Sequence, residues 1–357
     1  MTQKDTRIGV GILGAGPVTQ AIHLPTLARL TADFRVARIM DVDASVAETV
    51  AGRVGAQWTT SQDELLADPE VEVVAICSPH PFHARQVIAA CQAGKKAVLC
   101  EKPFAVSAEE ATRIADVSAQ TSVPIVVGAM HAYDSGWVRV LEHAADLLPH
   151  TVRSSIVLPP NARFEDFATE VVTRPAGLEL DRSDPDAVAA TVTGGIMGLA
   201  IHDLPLIRHL VTRADPSAAT RLEVLSAEVV FPFGYLVVLD VNGVVVELHA
   251  AMNDGCAASW HLTATDATTH VDVHFTPSYV QAGSATASVS TGGATTVFSP
   301  TDRNGYQAEW QEMASIARGG MPRIPLATLI DDLDFAIQIA QKAAATASER
   351  LGERRAA

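Results

Sequence analysis

Between residues 7 and 130 the chain alternates short apolar runs with helical segments, and the alternation opens on IGVGILGAGPVT. Apolar runs end in turn signals at 7–13, 34–40, 71–78, 96–100 and 124–129. Near-continuous apolar strands separated by helices are buried on both faces, which predicts a parallel sheet covered by helices on each side. Two of the helices open with Ser61-x-x-Glu64 and Ser107-x-x-Glu110, in which side chains satisfy the free N–H groups of the first turn. Gly94 follows the helical segment 82–93 and suits a left-handed cap. The predicted fold of this part is a doubly wound Rossmann sheet.

The pattern changes after about residue 150. Residues 159–190 are Pro-rich and charged with no clear period, and they read as a long loop. A helix fits 195–211, followed by strands at 221–231 and through YLVVLDVNGVVVELHA. Asn242-Gly243 between two apolar runs is a strong hairpin signal. Further strands fit 256–265, 270–275 and 285–299, and helices at 305–318 and 327–348 close the chain. With 357 residues, two domains are the default. The expected division is 1–130 as an α/β domain with a parallel sheet and 131–357 as an α+β domain with an open, mostly antiparallel sheet.

The Gly-rich turn points to a dinucleotide. Gly14 permits the tight turn and Gly16 lets the backbone approach a pyrophosphate, while Pro17 and Val18 lead into a helix whose first N–H groups favour anions. Thr19 stands where the fingerprint has its third glycine, so strand and helix must pack slightly wider. Asp41 closes the next strand about 20 residues on, where a carboxylate accepts from ribose hydroxyls and repels a 2′-phosphate. NAD is therefore favoured over NADP. The turn Ser78-Pro79-His80-Pro81-Phe82-His83 ends the third apolar run, and Ser78, Pro79, His80 and His83 are candidate cofactor contacts. Glu101 and Lys102 end a later strand, just before Pro103. Ligands of such sheets bind at the carboxyl ends of the strands, so cofactor and lysine are expected in one crevice.

Composition excludes several other roles. Lys and Arg number 26 against 41 Asp and Glu, a net charge of −15 that repels phosphate backbones and makes nucleic acid a poor partner. No apolar run approaches the ~20 residues of a membrane span. The first apolar segment leads straight into the Gly turn and reads as a buried strand, not a signal peptide. Cys77, Cys91, Cys100 and Cys256 have neither zinc nor disulfide spacing and read as reduced thiols of a cytoplasmic protein. No His, Asp or Glu cluster has metal-ligand spacing, so no metal is expected.

Together GAGPVTQAIHLPTL, SPHPFH, AGKKAVLCEKPF and GGIMGLAIHDLPLIRHL resemble the glucose–fructose oxidoreductase/inositol dehydrogenase (Gfo/Idh/MocA) family. NGYQAEWQEMASIARGG and the segment from Ile324 to Ser348 look like that family's closing elements. The likeness spans nearly the whole chain, with 150–190 matching loosely, and the EKP triplet is its most specific piece. The resemblance implies an NAD(P)-dependent dehydrogenase acting on the CH–OH group of a sugar, polyol or inositol. It also implies a homodimer or homotetramer formed through the C-terminal sheet. Lys102 would contact substrate and nicotinamide, and His202 would reach the substrate hydroxyl, with Asp203 continuing an His-Asp pair. His202 is the expected general base, with Lys102 polarising the oxygen.

Two positions depart from that family. The carboxylate expected four residues before the histidine is Gly198, so His202 lacks the neighbour that an i, i+4 spacing would supply. Asp203 is next in sequence but is expected to point elsewhere on the helix. His131 stands where relatives often carry Arg, and it is read as lining the substrate pocket. Two other functions share the cofactor site: glycoside cleavage through transient oxidation with no net redox change, and a non-catalytic NAD-binding sensor, which Gly198 alone favours.

Overall fold

The computed structural model describes residues 6–174, 181, 183–216, 219–255 and 257–356, and within that range it divides the chain into two compact units. The first comprises Met1–Gly128 with Phe164–Pro175 and Tyr306–Leu333; the second comprises Ala129–Arg163, Ala176–Gly305 and Asp334–Ala357. Two later stretches therefore return to the N-terminal unit, where a single cut after residue 130 assigns them to the other.

The Rossmann unit is built on β1 (Ile8–Leu13), β2 (Phe34–Met40), β3 (Gln57–Thr59), β4 (Val73–Ile76), β5 (Ala97–Glu101) and β6 (Ile125–Gly128). They lie in the order β3-β2-β1-β4-β5-β6, all parallel. The order reverses between β1 and β4, the place where such sheets open a crevice. β1 and β4 through β6 are buried along their whole length, as continuous apolar runs require. Helix ends follow the local chemistry. Asp43 accepts from the N–H groups of Ser45 and Val46 to open Ala44–Val54, which stops at left-handed Gly55. Ser61 and Ser107 cap Gln62–Ala67 and Ala108–Thr121, and Gly94 takes φ 68° after His83–Gln92.

The returning stretches are bonded to this unit. Arg53 donates to the Glu170 carbonyl at 2.8 Å, and Gln20 accepts from the N–H of Val172 at 3.1 Å. Trp310, fully buried on the helix Gly305–Ala317, meets Phe34 edge-to-face with ring centroids 5.2 Å apart.

The C-terminal unit holds β7 (Thr151–Leu158), β8 (Leu222–Val229), β9 (Gly234–Val241), β10 (Val244–Met252), β11 (Ser259–Thr265), β12 (Thr269–His274), β13 (Thr286–Thr291) and β14 (Ala294–Phe298). Their order is β14-β13-β12-β11-β7-β10-β9-β8. Only β7 and β10 pair in parallel; every other pair is antiparallel. Side chains alternate. Val246, Leu248 and Ala250 of β10 and Trp260, Leu262 and Ala264 of β11 are buried, while their neighbours are partly exposed, which is the mark of a sheet covered on one face. Asn242 (φ 55°) and Gly243 (φ 85°) make the β9–β10 hairpin turn, both in the left-handed region that a type I′ turn requires.

Two expectations need correction. Residues 159–190 are not one loop: Asn161–Ala168 is a helix, and a second helix starts at Pro185. The helix expected at 195–211 is broken. Pro185–Gly198 ends, a 3-10 turn covers Ala200–His202, and Leu204–Val211 continues at 73° to the stretch Pro185–His202. Pro205 is the cause, since proline starts helices well and cannot sit inside one. Cys77, Cys91 and Cys100 are free thiols, and Cys256 lies outside the described residues. Among the described residues no single helix is long and apolar enough to cross a membrane.

Candidate active site

In the Rossmann unit the Gly-rich turn leaves β1 with Gly14 at φ 95°. A Cβ on Gly14 would lie 2.7 Å from the backbone nitrogen of Ser78, so glycine is required both by conformation and by the adjoining β4 turn. Gly16 has nothing within 4 Å of such a Cβ, which leaves its backbone open on that side. Asp41 Oδ2 accepts from the N–H of Ala15 at 2.8 Å, which ties the end of β2 to the turn. Thr19, in place of the third glycine, is fully buried and donates its hydroxyl to the Gly14 carbonyl at 2.6 Å. The helix runs on from Pro17 and Val18 through a π-turn, Thr19–His23, into Leu24–Ala28. These residues fit a dinucleotide: an open glycine backbone, a helix start and a carboxylate at the second strand end.

The turn after β4 carries the next group. Ser78 hydrogen-bonds Gln86, and Pro79 and His80 are exposed. Packing against its surroundings and the charge of Lys102 hold His80 down to about 4, so it is neutral at pH 7. His83 is fully buried; its Nδ1 lies 2.8 Å from the Pro103 carbonyl and its Nε2 2.6 Å from the Ser78 carbonyl. It joins the β4 turn to the segment after Lys102, with no ring nitrogen left for a ligand.

Lys102 is half-buried at the end of β5. Burial lowers its pKa, and the neighbouring Glu101 carboxylate partly opposes that fall. Glu101 is itself buried. Burial would raise its pKa, but the hydrogen bond from His23 and the charge of Lys102 reverse the effect and lower it. His23 Nε2 lies 2.9 Å from Glu101 Oε1, and Trp310 Nε1 donates to His23 Nδ1 at 3.1 Å. An indole N–H only donates, so Nδ1 is the acceptor and the imidazole proton sits on Nε2, facing the carboxylate. Gly128 on β6 makes room for this group: a Cβ there would come within 3.0–3.1 Å of the Glu101 carboxyl. Glu309, one residue before Trp310, is fully buried, and burial followed by the charge of Glu101 raises its pKa well above the usual value. Among the described residues neither of its oxygens has a hydrogen-bond partner.

In the C-terminal unit His131, His202 and Asp203 come together. His131 Nδ1 donates to Asp203 Oδ1 at 2.7 Å. Oδ2 of the same carboxylate accepts from Ser154 at 2.6 Å and from the Trp260 indole at 2.8 Å. Asp203 is fully buried, and its bonds to these three side chains make it an anchor for His131. His131 is stacked on Phe275, with centroids 3.7 Å apart and planes at 11°. Its Nε2 is buried and has no partner among the described residues. His202 is buried, its ring 5.8 Å from that of His131 and 5.6 Å from that of Trp260. Gly198 closes the helix before the break, so it and His202 do not share one continuous helical face.

Residues 8–129 match the family model GFO_IDH_MocA, an oxidoreductase family with an NAD-binding Rossmann fold. Over this stretch, about a third of its length, the chain is similar to the Gfo/Idh/MocA oxidoreductases. Inositol 2-dehydrogenase 3 of Saccharopolyspora erythraea is 34% identical over 160 residues, 43% of this chain and 46% of that protein. Inositol 2-dehydrogenase 2 of the same organism is 27% identical over 266 residues, 71% of this chain and 68% of that protein. The chain spans less than half the length of the first curated relatives it matches. Among solved structures, UDP-N-acetylglucosamine 3-dehydrogenase GnnA from Acidithiobacillus ferrooxidans superposes with TM-score 0.70 at 20% identity, covering 95% of this chain and 99% of that one. KijD10, a 3-ketoreductase from Actinomadura kijaniata in complex with NADP and TDP-benzene, gives 0.69 at 18%, covering 96% and 98%. These two likenesses concern the fold.

The motif residues of the Gly turn and the EKP segment were readable in the sequence. The groups behind Lys102 were not. His23 sits inside a quoted motif but carried no separate signal, and Trp310 and Glu309 lie more than 200 residues from Glu101.

Proposed function

We propose that this chain is an NAD-dependent oxidoreductase that moves hydride between nicotinamide and a secondary hydroxyl of a sugar, polyol or inositol-like substrate. The observation that supports the reading most is Lys102: a half-buried lysine of lowered pKa at a strand end, backed by the Glu101–His23–Trp310 chain, in the domain that carries the Gly14–Gly16 turn. Gly14, Gly16, Pro17, Val18 and Asp41 would hold the dinucleotide, with Ser78, Pro79, His80, Glu101 and Lys102 toward the reacting end. Asp41 favours NAD, since a second negative charge beside it would be repelled.

When bound, the nicotinamide supplies the hydride acceptor at its C4. The protein must then remove the hydroxyl proton and steady the developing charge on oxygen. A lysine with a lowered pKa holds a proton close to where it can be exchanged, so Lys102 orients and polarises the substrate oxygen. His202 is assigned as base for oxidation and acid for reduction. His131, held by Asp203, is assigned to the substrate pocket. Asp203 acts on His131 and not on substrate. A homo-oligomer formed through the open sheet and a reducing cytoplasmic setting complete the reading; the three free thiols support the latter.

The test is a screen with NAD+ and NADP+ separately against inositols, aldoses and sugar acids, following reduced nicotinamide by absorbance. A signal with NAD+ and a polyol supports the reading. Turnover of an aryl glycoside with no net absorbance change would replace it with glycoside cleavage. Cofactor binding without any turnover would replace it with a sensor.

A further inference from the structure

The partly exposed face of the C-terminal sheet carries a run of imidazoles. His261 on β11 pairs in register with His274 on β12, and its other neighbour, Ser155 on β7, pairs in turn with His249 on β10. Asp272 stands two residues before His274, on the same face of β12. One donor atom from each of His261, Asp272 and His274 lies within 4.8 Å of the other two. None of these residues belongs to the site described above.

Three observations set this cluster apart from a surface ion pair. Asp272 Oδ1 lies 3.1 Å from His274 Nε2, yet it is buried and accepts no hydrogen bond of acceptable geometry. The ring nitrogen and the oxygen therefore sit side by side and are not aimed at one another. Two ligands about 2.1 Å from one tetrahedral ion stand roughly 3.4 Å apart, close to the spacing seen here. The His261 and His274 rings are 3.8 Å apart between centroids, too close for both to carry a proton comfortably.

We propose that His261, Asp272 and His274 form a binding site for one divalent transition-metal ion of the zinc class. Two imidazoles and one carboxylate match the donors of zinc, cobalt(II) and nickel(II); calcium and magnesium prefer all-oxygen sets. Three protein ligands leave one coordination position for water. Arg153 on β7, a cation of the same sheet, is paired with Glu247 at 2.8 Å. Sequence spacing does not disclose the site, because it forms only when the β11–β12 register sets His261 beside His274.

The test uses the full chain, stripped with a chelator and titrated with Co2+ by visible absorption and with Zn2+ by calorimetry. One ion per chain is expected, with Zn2+ displacing Co2+. His274→Gln and Asp272→Asn should each weaken binding roughly tenfold or more. Both changes nearly conserve side-chain size, so the variants should melt like the parent. His270→Gln, on the same strand and face but outside the cluster, should bind like the parent. Unchanged affinity and stoichiometry in the first two variants, or an equal loss in His270→Gln, would overturn the proposal.

Discussion

His131 donates its Nδ1 proton to Asp203 Oδ1 at 2.7 Å, across 72 positions of sequence. The bond fixes the tautomer of His131 and turns its Nε2 into an acceptor. Asp203→Asn places an N–H where donors already converge from Ser154 and Trp260. We expect a loss of about 3 kcal/mol in urea unfolding, together with a fall in kcat. Stability within error of the parent would show that the carboxylate is not the anchor the geometry implies.

Lys102→Ala should lower kcat by about 100-fold or more while leaving NAD affinity, measured by calorimetry, close to the parent. Binding that disappears along with turnover would assign the lysine to holding the cofactor and not to the proton.

Asp41→Ser removes the carboxylate proposed to read the ribose. NAD affinity should fall roughly tenfold, and the ratio of NAD to NADP turnover should fall with it. An unchanged ratio would confine Asp41 to its bond with Ala15.

Gly198→Asp supplies the carboxylate that the sequence resemblance leads one to expect four residues before His202. There is room for it, since a Cβ at Gly198 meets nothing within 4 Å. The acid sits at a helix C-terminus, which costs about 0.3–1 kcal/mol. We expect no gain in alcohol oxidation, because the helix ends at this residue and the i, i+4 alignment with His202 is lost. A rise in kcat would mean that the aspartate reaches His202 in spite of the break.

Glu309 offers a pH test. A carboxyl whose pKa is raised in the folded state binds its proton more tightly there than in the unfolded chain. Its contribution is therefore intact below the ordinary value of 4.5 and is lost as pH rises toward the folded value. Glu309→Gln stays neutral throughout. The parent should lose stability relative to this variant as pH rises above about 5, with a slope of up to about 1.4 kcal/mol per pH unit. Parallel curves would show that the carboxyl finds a proton or a partner without cost.

The parallel sheet was legible because each strand is a continuous apolar run bounded by turn residues, a signal that needs no distant partner. β3 escaped notice: it is three residues long, two of them exposed, and has no run to read. The break at 199–203 hid inside an apolar stretch whose composition suits a continuous helix; only Pro205 marked it. Asp203 reads in the sequence as pointing away from His202; its bond to His131, 72 positions away, had no local signal. The Gly14–Gly16 turn and Lys102 were legible because backbone demands and strand ends impose residue types locally. His23, Trp310 and Glu309 answer to a fold already formed.

Trp310 completes a domain whose first strand begins about three hundred residues earlier. Until the ribosome has made the helix that carries it, His23 lacks its indole donor and Phe34 lacks the ring that covers it. The nucleotide-binding half of this protein is thus finished late in synthesis, after the whole eight-stranded sheet of the other half has emerged. A fragment cut after β6 would contain every recognisable motif residue of the turn and still expose the Glu101–His23 pair to water.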